Sequence, residues 1–109
     1  MAYNEALARR VEAALAGRPE MTAKTMFGGI GYLLNGNMAC GVHGEGLIVR
    51  LDPDAARRAF ANPNVKPFDM TGRPMKSWLV VQASGLDEDA ELQAWVEQAV
   101  AYAATLPPK

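Results

Sequence analysis

Catalysis needs side chains that can attack, exchange protons, ligate metal or concentrate charge, and this 109-residue chain places few of them together. Cys40 and His43 are its single cysteine and single histidine. Two such ligands fall short of a zinc centre, which takes four, or three and a water. Cys40 lies in an apolar run and reads as a buried, inert thiol, because a reactive one needs an accessible electropositive setting. Ser77 and Ser84 lack the Gly-x-Ser-x-Gly turn that exposes a nucleophile. Asp87, Glu88, Asp89 and Glu91 crowd one short stretch. They read as helix capping and solvated surface and not as an acid–base pair. Gly28-Gly29-Ile30-Gly31 lacks the spacing of a dinucleotide fingerprint and opens no helix. The chain is therefore expected to be no enzyme, with no catalytic residues, metal or cofactor.

Two sets of residues stand out. Arg50, Lys66, Arg73 and Lys76, with Lys24 near and Phe68 and Trp78 interleaved, could hold phosphates or another anionic partner. A solvated loop is the plainer reading of the same residues. The second set is apolar. Ile30, Tyr32, Leu34 and Ile48 fall on what alternation makes the outer face of a sheet, and a contiguous apolar patch on a small domain marks association. A loop or helix folded over that face would hide it.

The elements that position these sets follow from periodicity. Asn4 is an N-cap, and Leu7, Val11, Ala14 and Leu15 recur at three and four residues, which predicts a helix over 4–16 ended by Gly17 and Pro19. Asn35-Gly36 lies between apolar runs and suits a type I′ turn; His43-Gly44-Glu45-Gly46 suits a type II′ turn. Three antiparallel strands result, at 26–34, 37–43 and 46–51. The turns set Leu34 opposite Asn37, Leu33 opposite Met38 and Gly31 opposite Cys40, then Val42 opposite Leu47, Cys40 opposite Val49 and Met38 opposite Leu51. One face then carries Leu33, Met38, Cys40, Val42, Leu47, Val49 and Leu51 and is the core face, with Gly29 and Gly31 leaving room for a helix. The other carries Ile30, Tyr32, Leu34, Ala39, Ile48 and Arg50.

Asp52-Pro53 opens a second helix, since Asp caps free N–H groups and Pro at the first position loses no bond. Asn62 to Met75 holds three prolines and Gly72 and reads as a long ordered loop. Residues 77–83 form a fourth strand. A last helix follows the acidic cluster, with Leu92, Trp95, Val96, Ala99, Val100 and Ala103 as its buried stripe. The fold class is α+β, in the order α-β-β-β-α-β-α: an antiparallel sheet of about four strands with helices on one face.

Composition sets the limits. Half the residues are hydrophobic and 21% are charged, enough to collapse into one domain over 1–109. No apolar run reaches the ~18 residues of a membrane span. One cysteine and a polar start, MAYNEALARR, point to the cytoplasm. Eleven basic against twelve acidic residues leave a net charge of -1, without the basic excess of a strong nucleic-acid binder.

Met26-Phe27-Gly28-Gly29, the Asn-Gly hairpin, the MACGV strand, the GLIVRLDPDA junction and the FDMTGRPMKSWLVV stretch, in that order, resemble the N-terminal domain of the TfoX/Sxy family over about residues 3–104. The resemblance implies an α+β domain that tends to dimerise. It implies a regulatory or protein-interaction role, since full-length members promote transcription of DNA-uptake genes in natural competence. Those members carry a second, helical C-terminal domain, and this chain is expected to be a stand-alone copy of the first. No catalytic residues come with the family; Met26, Phe27, Gly28 and Gly29 match its motif and read as structural. The expected partners are a second copy through Ile30, Tyr32, Leu34 and Ile48, and a protein of the transcription machinery or a separate helical domain. The alternatives are weak DNA binding through the basic 62–78 loop and, less favoured, a small ligand held between the 62–75 loop and the sheet near Trp78 and Phe68.

Overall fold

The computed structural model describes residues 3–16, 21–26, 28–68 and 77–108. Helix α1 (Glu5–Leu15) starts as expected: the Asn4 side chain accepts the Leu7 N–H at 3.0 Å. It is followed by β1 (Met21–Met26), β2 (Gly29–Leu34), β3 (Asn37–His43), β4 (Gly46–Arg50), α2 (Pro53–Ala59), β5 (Val65–Pro67), β6 (Trp78–Val81), a 3-10 turn (Ala83–Gly85) and α3 (Asp89–Ala104). The six strands form one antiparallel sheet in the order β1-β2-β3-β4-β6-β5. The class is α+β, with six strands in place of about four. No helix among the described residues is long and apolar enough to cross a membrane.

Both extra strands have local causes. The expected strand over 26–34 is really the junction of two, because Gly28 has φ 75° and the chain turns there. Gly29 then lies so close to β3 that an added Cβ would sit 2.3 Å from the Val42 carbonyl oxygen. That glycine admits a neighbouring strand rather than a helix. Strand β5 lies inside the expected long loop: three residues pair with β6, with Pro67 last, at the sheet's edge where proline is tolerated.

The Asn35-Gly36 turn has positive φ at both residues, 52° and 85°, as type I′ requires. It pairs Leu34 with Asn37 and Leu33 with Met38, as expected. Beyond them the register departs. A bulge leaves Ala39 unpaired, so that Tyr32, not Gly31, faces Cys40. The β3–β4 pairs Val42↔Leu47 and Cys40↔Val49 fall where the second turn puts them. One slipped residue reverses the faces of β2. Ile30, Tyr32 and Leu34 therefore share the helix-covered face with Cys40, Val42, Leu47 and Val49. Leu33 and Met38, expected in the core, are half-buried on the opposite face.

The core lies between the sheet and helices α1 and α3. Val11 of α1, Val96 and Ala99 of α3, and Cys40, Val42, Leu47, Val49, Leu79 and Val81 of the sheet are wholly buried in it. Helix α3 crosses β3 and β4 and packs beside α1. Its stripe is buried as expected at Leu92, Val96, Ala99, Val100 and Ala103, with Trp95 at the rim. Asp52 caps α2 through bonds from the Asp54 and Ala55 N–H groups, and Pro53 stands at the first position, again as expected.

Candidate functional site

Strand β4 ends at Arg50, directly across the ladder from Trp78 at the start of β6. Direct partners across a ladder share a face, and this pair stands at the ends of both strands, where the last turn of α3 comes within reach. The Arg50 guanidinium carbon lies 5.1 Å from the Trp78 ring centroid and 5.9 Å from that of Tyr102, in the last turn of α3. Both distances fall within cation–π range. Phe68 supports Trp78 with ring centroids 6.4 Å apart at 45°, and its N–H donates to the Trp78 carbonyl at 3.2 Å. Where β4 ends, the Leu51 N–H donates to the Ser77 carbonyl at 2.9 Å. The tail after α3 is tied down by buried Asn37, whose side-chain amide donates to the Pro107 carbonyl at 2.8 Å. Arg50 is half-buried, and its Nε is buried with no hydrogen-bond acceptor.

Of the expected anion set, Arg50 stands in this aromatic cluster. Lys66 is exposed on β5, opposite Val80. Arg73 and Lys76 lie outside the described residues, as does Phe27. Of the family motif, Gly28 has φ 75°, Gly29 lies against β3, and Met26 closes the β1–β2 pairing against Gly29.

The expected association patch is not one surface. Tyr32 and Leu34 are buried beneath the helices and Ile30 is half-buried there, while Ile48 points to the other face and is 3% exposed. Tyr32 is held by its hydroxyl, which donates to Glu12 Oε2 at 2.8 Å and sits 3.4 Å from the Ala8 carbonyl. Burial first, then the Glu12 hydrogen bond and charge, raise its pKa well above the usual phenol range.

Cys40 is wholly buried, and burial pushes its thiol up to about 12, which leaves no thiolate nucleophile. His43 is exposed and points away from it. No group of three or more His, Cys, Asp or Glu among the described residues is placed to hold a metal. Of the acidic cluster, Asp89 has a specific contact: Arg10 reaches it with Nη2 at 3.0 Å and Nε at 3.2 Å, while the same Nη2 donates to the Leu86 carbonyl at 2.6 Å. That clamp lines a groove of about 220 Å³ between α1 and α3.

Sequence reading missed Tyr102 as a member of the cluster. Its spacing of seven from Trp95 marks the same rim of the α3 stripe, but only the crossing of α3 over β4 brings it to Arg50. Arg10 and Asp89 lie 79 positions apart and carry no sequence signal of their pairing. No curated protein and no solved structure matches the chain. A family model, that of the TfoX N-terminal domain, matches residues 13–103. Together with the α+β architecture, that match over most of its length shows that the chain belongs to the TfoX N-terminal domain family.

Proposed function

We propose that this chain is a non-enzymatic regulatory module of the cytoplasm that works as a homodimer and docks a protein partner of the transcription apparatus. The family match over residues 13–103 carries the reading. The net charge of -1 favours a protein partner over direct grip on DNA.

The dimer needs a surface other than Ile30, Tyr32, Leu34 and Ile48, and strand β1 supplies a candidate. It ends the sheet, and Thr22, Ala23, Lys24 and Thr25 are exposed. Ladder alternation from the closing pair Met26↔Gly29 turns the Thr22 and Lys24 backbone groups toward β2 and those of Met21, Ala23 and Thr25 outward. Two copies joined edge to edge about a two-fold axis must pair one residue with itself. Centring on Ala23 sets Thr22 opposite Lys24 of the second copy, whereas centring on Lys24 would set like charges together.

Light scattering is expected to give twice the 11.7 kDa of one chain. Ala23→Pro removes an outward N–H without breaking the β1–β2 ladder and should give a folded monomer. A dimer unchanged by Ala23→Pro rejects this edge, and a monomeric wild type rejects the dimer. Labelled duplex DNA should show no anisotropy change at low salt; binding that survives physiological salt would overturn the protein-partner reading in favour of direct DNA contact.

A further inference from the structure

We propose that Arg50 anchors a binding site for a carboxylate group, with Trp78 and Tyr102 as its walls. Buried polar groups in folded proteins are almost always partnered, and an exception calls for an explanation, a bound acceptor among them. Arg50 Nε is buried and has none. It is also the one side-chain N or O among the described residues found in that condition.

The site is preorganised. Arg50 is anchored at the end of β4 against Trp78, which Phe68 supports in turn, and Tyr102 approaches from α3. Two rings holding a guanidinium take away side-chain freedom before a ligand binds, so less is lost on binding. The rings also satisfy the cation's charge without using a single N–H. The hydrogen-bonding capacity therefore remains for an oxyanion. Arg50 as a whole is half-buried and not sealed in the core.

A carboxylate fits better than a polyphosphate backbone. Its two oxygens match two parallel N–H groups of one guanidinium. A nucleic-acid track needs a row of cations. Alternation adds exposed Lys66 on β5 and exposed Lys24 on β1 to the face of the Arg50–Trp78 pair, one at each edge of the sheet and so no continuous row, and the chain as a whole is slightly acidic. The carboxylate could come from a small acid or from an acidic side chain of a docking protein. The inference does not depend on the dimer or on the regulatory reading.

The test reads the Arg50 Nε–H and Trp78 indole N–H signals by nitrogen–proton NMR during titration of the intact chain. The probes are succinate, a hexaglutamate peptide and inorganic phosphate, each against sodium chloride at matched ionic strength. Succinate or hexaglutamate should shift the Arg50 Nε–H saturably, and the tighter of the two names the source. Arg50→Lys keeps the charge but loses the planar fork, and the saturable shift at Trp78 should disappear. Trp78→Leu, which removes a wall, should weaken binding by about tenfold or more (~1.4 kcal/mol). The wild-type titration stands whether or not either variant folds. A shift that tracks sodium chloride without saturating overturns the proposal. So does saturation by phosphate with neither carboxylate, or equal carboxylate binding by Arg50→Lys.

Discussion

Arg10 and Arg50 sit in two regions that treat the same side chain in opposite ways. At the α1–α3 seam, Arg10 spends its N–H groups on Asp89 and the Leu86 carbonyl. At the far end of β4, Arg50 lies against two rings and leaves its buried Nε without an acceptor. The seam region is finished in other respects. Tyr32 is bonded to Glu12, and the apolar residues beneath are wholly buried. Stability and binding capacity separate between these two regions. A satisfied polar group holds elements together, while an unsatisfied buried one leaves its desolvation cost uncompensated.

Leu79→Ala opens a cavity beneath the helices, where Leu79 is wholly buried, and should cost about 2–5 kcal/mol in urea denaturation. A smaller loss would mean that the face collapses readily.

Alkaline pH tests the same region. The unfolded chain releases the Cys40 and Tyr32 protons near ~8.5 and ~10. The folded chain keeps them, because both pKa values are raised. Above those values the unfolded state binds fewer protons, so stability falls as pH rises, by about 1.4 kcal/mol per pH unit for each group. For Cys40 the fall ends near its folded value of about 12. Denaturation midpoints should hold to about pH 8 and then drop, with Cys40→Ala delaying the onset toward ~10. A flat profile to pH 11 would show that neither group is kept from solvent.

Arg10→Ala loses a partly exposed ion pair and a bond to a carbonyl, and should cost about 0.5–1.5 kcal/mol. Arg50→Met should cost less than Arg10→Ala, because relief of a buried donor that nothing accepts offsets the lost ring contacts. Thermal denaturation of the two variants side by side decides the matter. Equal losses would make Arg50 a structural prop and erase the distinction.

Much of the frame was legible before any coordinates. The caps at Asn4 and Asp52, the Asn35-Gly36 turn and the α3 stripe are local features, and each is found where its residues put it. Strand β1 was not legible, since Met-Thr-Ala-Lys-Thr-Met lacks clear alternation and becomes a strand by pairing with β2. The faces of β2 failed for a single reason. A bulge at Ala39 is set by how β3 fits against its neighbours and leaves no mark in composition or period. It carried Tyr32 from the supposed outer patch to the core, so the expected association surface went with it.

What depends on neighbours along the chain could be read from the residues alone: helix starts, turn types, the apolar stripe of α3 and the family. Tertiary structure decided which residues meet across the sheet and between layers. Arg50 was visible as a cation, but its stacking against Trp78 and Tyr102 and its orphaned Nε were not. Contacts of that kind join positions tens of residues apart, and they are set by strand order, register and helix crossing, which only the folded chain holds in place.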